Sequence, residues 1–469
     1  MKQSKTKLDR KKILIAGLAR SGTAAAVLAA AYGALVTVTD TRPEEELREN
    51  LDRISGKVKI SLGNPSRKDC LEYDLIVLSP GVQPHQDWIE EADSDGIKII
   101  GEVELAYMLM DGRILGITGT NGKTTTTLLT GAVLSSSGLD IEVTGNVGTA
   151  LSESVLKAAR ENRRPLFVTE LSSFQLEKIR DFTCNIALLL NCTPDHLDRY
   201  PDFESYRKTK FRIFLNQTEN DFAVINADDS SLMEMAGQLR SQVFPFSTSK
   251  KLDQGVFVNR GWIYASWKGW EGKLLKTSDI RLRGAHNLEN IAAALSVSFL
   301  AGADTVKMPE AVNSFKGVEH RLEFVTRLDQ VDYFNDSKST TVHSTLKALQ
   351  SIGGNIILIM GGYDKGGDFT QLKPIVSERV KRLILLGDTA GKIEAQLGEA
   401  AEILQADDLE QAVFAAAGFS EPGDTVLLSP ACASFDMFKD FEHRGKEFKS
   451  LVLSMLSSRQ GSFTEVSSA

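Results

Sequence analysis

An α/β protein with mainly parallel sheets, divided into three domains, is predicted by three observations. Short apolar runs of strand type alternate with helical periodicity along the chain. Most of those runs end in Gly, Ser, Asn or Asp, which α/β sheets place at ligand-binding strand ends. The chain has 469 residues, a length suited to about three domains. Domains are expected over residues 1–111, 112–317 and 318–469.

The first unit begins with a basic stretch (Lys2, Lys5, Lys7, Arg10, Lys11, Lys12) that leads into a strand at 13–16. That apolar run is too short for a signal-peptide core. Gly17-Leu18-Ala19-Arg20-Ser21-Gly22 follows, then an Ala-rich helix to Ala31. Further strands are expected at 35–39, 75–78 and 97–100. This pattern is a Rossmann-type half with an altered fingerprint. Ala19 replaces the second glycine, which would let a pyrophosphate approach the backbone. Asp40, followed by Thr41 and Arg42, lies where an acidic residue meets a ribose or base. A nucleotide site fits these residues better than a plain dinucleotide site.

The second unit carries Gly116-Ile117-Thr118-Gly119-Thr120-Asn121-Gly122-Lys123-Thr124-Thr125. An apolar run precedes it, and the helical pattern Leu128, Leu129, Ala132, Val133 follows. Strand, Gly-rich loop and helix in that order make a phosphate-binding loop. Backbone N–H groups curl around phosphate oxygens, and the helix N-terminus adds positive potential. Lys123 can reach the outer phosphates, and Thr124 offers a hydroxyl to Mg²⁺. The match is imperfect, because Ile117 stands where the common pattern has its first glycine. Strands are expected at 166–169, 186–190 and 223–226. A β-rich insertion containing Trp262, Trp267 and Trp270 is expected from 243 to about 282, before a helix at 291–300.

Three further residues of this unit invite a metal. Glu170 ends a strand beside the phosphate loop, and hard Mg²⁺ takes such oxygen ligands. His196 follows another strand in Asn191-Cys192-Thr193-Pro194-Asp195-His196, where it could ligate metal or accept a proton. Lys210 falls on the apolar stripe Phe203, Tyr206, Ile213, Phe214. A lysine there is a functional group aimed at the nucleotide site, or one whose stem packs while its head reaches solvent.

The third unit sets three motifs at strand ends. They are Asn335-Asp336-Ser337-Lys338-Ser339-Thr340, Gly361-Gly362-Tyr363-Asp364-Lys365-Gly366, and Ser429-Pro430-Ala431-Cys432-Ala433-Ser434. Two lysines, hydroxyl residues and a Gly-rich loop suit a small dicarboxylate. Strands are expected at 332–335, 356–360, 383–386 and 425–428, and the Ser-rich end from 457 is expected to be a loose tail.

Composition narrows the partners. A net charge of −8 argues against nucleic acid. No apolar stretch reaches the roughly 18 residues of a membrane span. Cys70, Cys184, Cys192 and Cys432 are scattered without metal spacing, as expected of reduced thiols in a cytoplasm.

These motifs, in this order, resemble the peptidoglycan amino-acid ligase (Mur ligase) family over nearly the whole chain. The 118–125 loop, Glu170-Leu171-Ser172-Ser173-Phe174-Gln175 and His286-Asn287 carry the general likeness. Asn335–Lys338, Ser429–Ser434 and Phe441-Glu442-His443-Arg444-Gly445 carry a finer likeness to members that add D-glutamate to UDP-N-acetylmuramoyl-L-alanine. The resemblance implies an N-terminal domain for the UDP end, a central domain for ATP and a C-terminal domain for the amino acid. It implies UDP-substrate contacts at Leu18, Ala19, Arg20, Ser21, Asp40, Thr41, Arg42, Gly81 and Asn146. It implies ATP contacts at Gly119, Thr120, Asn121, Gly122, Lys123, Thr124, Thr125, Asn290, Arg321 and Asp336. D-glutamate contacts fall at Lys338, Thr340, Lys365, Ser434 and Phe441. Two Mg²⁺ ions are implied, on Thr124 and Glu170 and on His196 and Lys210, with Lys210 carbamylated by CO₂. Lys123, His196 and Lys210 would carry the catalysis, in a monomer. A folate polyglutamylating enzyme, a nicotinamide oxidoreductase and a nucleotide-binding scaffold without turnover are the rival readings.

Overall fold

The computed structural model describes residues 8–465 except 55, 57, 198, 283 and 365. It forms two compact units, residues 1–315 and 316–469. The first unit contains two sheets and the second contains one.

The first sheet has five parallel strands in the order β3-β2-β1-β4-β5. They are β1 (Lys12–Ala16), β2 (Leu35–Thr39), β3 (Lys59–Ile60), β4 (Leu75–Leu78) and β5 (Lys98–Gly101). The order reverses beside β1, so the turn after β1 opens at a topological switch point. That turn is tight. Gly17 has φ +88, and a Cβ on Gly22 would lie 1.7 Å from the Gly17 carbonyl oxygen.

The second sheet has nine strands in the order β14-β13-β12-β11-β10-β9-β6-β8-β7. Its parallel centre is β6 (Arg113–Thr118), β8 (Leu166–Glu170), β9 (Ile186–Leu189) and β10 (Phe222–Asn226), with β7 (Ile141–Gly145) at one edge. Central parallel strands are covered on both faces, which is why they read as continuous apolar runs. β6 needs Gly116, because a Cβ there would lie 2.4 Å from the Cys184 sulfur.

The segment expected to be β-rich from 243 to about 282 does form strands, but they are continuous with this sheet and not a separate insertion. β11 (Gln242–Ser247) pairs in parallel with β10, β12 (Gly255–Asn259) pairs with β11, and β13 (Trp262–Trp267) and β14 (Trp270–Lys276) add antiparallel hairpins. The segment therefore extends the second sheet. Trp267 packs edge-on against Phe222 and Phe244, which joins the hairpins to the parallel core. The following helix runs Ala285–Leu300 and begins earlier than expected, because Gly284 turns the chain into it at φ +102.

The second unit has six strands in the order β15-β16-β20-β17-β18-β19. β16 (Val331–Asn335), β20 (Thr425–Leu428), β17 (Ile356–Gly361) and β18 (Val380–Leu386) form its parallel centre. β15 (Glu323–Leu328) is an antiparallel edge, and β19 (Glu402–Gln405) is the other edge. The terminal helix runs Phe441–Glu465, so the expected loose tail is helical as far as Glu465. No helix among the described residues is long and apolar enough to cross a membrane.

Candidate active site

The phosphate loop leaves β6 and enters the helix Lys123–Ser136 through Gly122, whose φ is +81. A side chain at Gly122 would meet the Asn290 amide oxygen at 2.1 Å, so the glycine admits both the turn and Asn290. Asn191 holds the loop from the end of β9. Its Oδ1 accepts the Thr120 and Asn121 N–H groups at 3.0 and 2.9 Å. Thr120 Oγ1 lies 3.2 Å from the Tyr206 hydroxyl and accepts the Thr193 N–H at 3.0 Å. Lys123 Nζ donates to the Gly119 and Thr120 carbonyls, both at 2.8 Å. Thr124 and Thr125 are buried in the first helical turn.

Lys210 lies in the helix Phe203–Phe211 and is 1% exposed. The plainer alternative, a head reaching solvent, is excluded by that burial. Its Nζ donates to the Gly119 carbonyl at 2.8 Å and sits 4.7 Å above the Tyr206 ring. Burial, and then the Lys123 charge, push its pKa down to about 7. The α-helix ends at Phe211, and Ile213 and Phe214 belong to a 3₁₀ turn that continues the apolar face.

Glu170 ends β8 and is 1% exposed. Its Oε1 accepts the Asn146 side-chain amide at 2.8 Å. Its Oε2 is buried without a hydrogen-bond partner. An orphaned buried carboxylate oxygen beside a phosphate loop is a fitting Mg²⁺ ligand, since the cation would supply the missing partner. Among the described residues no group of three or more His, Cys, Asp or Glu could hold a metal alone. A cation here would therefore lean on hydroxyl groups and substrate phosphates, as Mg²⁺ commonly does. His196 is half exposed, adopts φ +53, and packs its ring 4.8 Å from Phe174 and 6.1 Å from Tyr206.

The proposed UDP end surrounds the turn after β1. Asp40 is buried, and its Oδ2 accepts the Leu18 N–H at 2.6 Å and Arg42 Nη2 at 2.8 Å. Burial would raise this carboxyl, but the Arg42 guanidinium and the two backbone N–H bonds outweigh it and hold the pKa at about 2. Ala19, Arg20, Ser21 and Thr41 lie partly or largely exposed around this turn. Gly81 has open space where a side chain would stand. Arg20 turns toward the 145–148 loop that carries Asn146.

In the second unit, Asp336 is buried at the end of β16. Its Oδ2 accepts the Ser429 hydroxyl at 2.7 Å, and its Oδ1 accepts the Leu322 N–H at 3.1 Å. Burial pushes its pKa up to about 6 despite those bonds and the nearby Arg321 charge. Arg321 itself is exposed. Lys338 Nζ lies 5.9 Å from the Phe441 ring centroid, which brings two expected amino-acid contacts together. Thr340 donates its N–H to the Lys338 carbonyl, and Ser434 is buried nearby in sequence to Arg444's partners. Arg444 knits these loops, donating to the Ser337 hydroxyl and carbonyl and to the Cys432 and Ala433 carbonyls. Lys365 lies outside the described residues.

Asn191, Tyr206 and Arg444 belong to none of the expected contact sets. Asn191 directly follows a strand end, and Tyr206 stands four residues before Lys210, so position offered a signal for both. Arg444's role depends on contacts distant in sequence.

Residues 11–101 match the N-terminal domain described as Mur ligase, MurD-like. Residues 117–298 match the Mur ligase middle domain, and 320–432 match the Mur ligase glutamate ligase domain. The chain is 44% identical to UDP-N-acetylmuramoylalanine--D-glutamate ligase of Koribacter versatilis, over 95% of this chain and 98% of that one. It is 45% identical to the protein of the same name from Geotalea daltonii, over 94% and 97%. A solved UDP-N-acetylmuramate-alanine ligase from Thermotoga maritima shares the fold, with TM-score 0.56 and 19% identity over 95% of this chain and all of that one. By its three matched domains and its near full-length relatives, the chain belongs to the Mur ligase family.

Proposed function

We propose that this chain is an ATP-dependent, ADP-forming ligase that joins D-glutamate to UDP-N-acetylmuramoyl-L-alanine in peptidoglycan precursor synthesis. The observation that carries the reading is Glu170, whose Oε2 is buried and unpartnered at the strand end beside the phosphate loop. A phosphoryl-transfer site needs such a carboxylate, and a nicotinamide site does not. The names of the relatives supply the substrates.

A carboxylate is a poor acylating agent at neutral pH. In the proposed sequence the alanyl carboxylate oxygen attacks the γ-phosphorus and ADP leaves, giving an acyl phosphate. The D-glutamate amine, having lost a proton, attacks the acyl carbon. The C–O bond to phosphate breaks, and phosphate departs with the amide formed. The 119–122 backbone would hold the nucleotide phosphates, and Lys123 would swing from its loop carbonyls to the γ-phosphate. Thr124 with Glu170, and His196 with a carbamylated Lys210, would hold two Mg²⁺ ions. When bound, these ions neutralise the charge that gathers on the transferring group. Carbamylation joins the neutral Lys210 amine to CO₂ with loss of a proton, and replaces a cation by an anionic oxygen ligand.

The residues around Leu18, Asp40, Arg42, Gly81 and Asn146 are proposed to face the UDP-sugar. Asn290, Arg321 and Asp336 are proposed ATP contacts. Lys338 and Lys365 would pair with the two D-glutamate carboxylates, with Thr340, Ser434 and Phe441 completing the pocket. Three domains, 1–111, 112–317 and 318–469, would divide these tasks. The test is phosphate release from ATP with UDP-N-acetylmuramoyl-L-alanine and D-glutamate, L-glutamate, meso-diaminopimelate or L-lysine. Turnover with D-glutamate alone supports the reading. Preference for another amino acid, or none, rejects it.

A further inference from the structure

Arg20 is the first residue of the helix Arg20–Ala31, at the turn expected to meet the UDP end. Its guanidinium instead crosses to the nucleotide sheet. Nη1 donates to the Gly148 carbonyl at 2.7 Å, and Nη2 donates to the Gly145 and Asn146 carbonyls, both at 3.0 Å. A planar fork can gather three carbonyls of one turn, which a single ammonium does poorly.

The gathered turn is the one that orients Glu170. Gly145 has φ +101, and a Cβ there would lie 2.2 Å from the Glu170 carbonyl oxygen, so the two backbones are in direct contact. Asn146 donates its backbone N–H to the Glu170 carbonyl at 3.0 Å and its side-chain amide to Glu170 Oε1 at 2.8 Å. Glu170 Oε1 is thereby occupied, and Oε2 is left as the oxygen without a partner. The far end of the same segment is held from the N-terminal sheet too. Buried Glu102, just after β5, accepts the Ser152 N–H at 2.7 Å.

We propose that Arg20 is a positioning residue for the phosphoryl-transfer site. It fixes the 145–148 turn, and through Asn146 it sets which Glu170 oxygen faces a divalent cation. The turn that would receive the UDP end is thus tied mechanically to the metal-binding carboxylate. This rests on the ligase reading for its kinetic arm only, because cation binding is measured without turnover.

The test uses the full chain as wild type, Arg20→Ala, Arg20→Lys, Asn146→Ala and the Arg20→Ala/Asn146→Ala double variant. Mn²⁺ binding in the presence of ADP is followed by electron paramagnetic resonance, and UMP binding by calorimetry. Arg20→Ala should weaken Mn²⁺ binding by about tenfold, the size typical of losing an outer-shell partner. UMP affinity should stay within about twofold, and kcat should fall. Arg20→Lys should recover part of the loss, and added guanidinium should partly rescue Arg20→Ala. The double variant should bind Mn²⁺ no worse than Asn146→Ala alone, as expected of residues acting in series. Unchanged Mn²⁺ binding with weakened UMP binding would make Arg20 a nucleotide contact and overturn the proposal, leaving the ligase reading intact. Additive losses in the double variant would also overturn it. A wild-type chain that binds no Mn²⁺ with ADP would remove Glu170 as a ligand and overturn both.

Discussion

Replacing Lys210 by Met should make the protein more stable and catalytically dead, and the gain should depend on pH. Lys210 is 1% exposed and its folded pKa is pushed from 10.5 to about 7. The unfolded chain therefore binds more protons than the folded one between those values. Stability must rise with pH across that window, and the contribution is lost as pH falls through 7. With these two pKa values, the linkage integral gives a charge-burial cost of about 4 kcal/mol at pH 7 and about 2 kcal/mol at pH 9. Lys210→Met removes the ammonium and keeps most of the stem's packing. Its stability should exceed that of wild type by a few kcal/mol at pH 7, with the gap narrowing by about 2 kcal/mol at pH 9. Urea unfolding at pH 7, 8 and 9 in CO₂-free buffer measures this. Parallel pH profiles for the two proteins would refute the claim that Lys210 is buried with a depressed pKa. The same depression serves the proposed carbamate. At pH 8 about nine-tenths of such amines are neutral, against about three in a thousand for an ordinary lysine. ¹³CO₂ NMR should accordingly show a carbamate signal in wild type that Lys210→Met lacks.

Lys123→Ala should cost on the order of several kcal/mol in the reaction barrier while the fold persists, as steady-state kinetics and circular dichroism would establish; near-normal turnover would reject its role. Lys338→Ala should raise KM for D-glutamate far more than KM for ATP, and equal effects would count against a carboxylate contact. Glu104→Ala should destabilise the first unit by about 3 kcal/mol, because it strips the acceptor from three backbone N–H groups, those of Arg180, Asp181 and Phe182. Urea unfolding of the full chain reads this change, and a loss under about 1 kcal/mol would contradict that accounting.

Much of this protein is legible in its sequence because its central strands are buried on both faces. β1, β4, β9, β17 and β20 read as nearly unbroken apolar runs. The unanticipated strands β3, β7, β15 and β19 are all sheet edges. Edge strands are half solvated, and their mixed residues look like loops until a neighbouring strand supplies the pairing. The phosphate loop, Glu170 and Lys210 could be found from spacing, because each lies at a strand end or on a helical stripe. Asn191's hold on Thr120 and Asn121 could not, since it spans some seventy residues of chain. Arg20 illustrates the same limit. Its position by the first turn suggested a nucleotide contact, while its partners lie in the 145–148 turn of another sheet.

The most direct test of the proposed chemistry follows an oxygen atom. UDP-N-acetylmuramoyl-L-alanine labelled with ¹⁸O in its alanyl carboxylate is turned over with ATP and D-glutamate, and the released phosphate is examined by ³¹P NMR. An acyl phosphate requires one carboxylate oxygen to leave with each phosphate, so every product phosphate should carry one ¹⁸O from fully labelled substrate. Phosphate released without the label, at the rate of product formation, would contradict carboxylate activation and with it the account of this site.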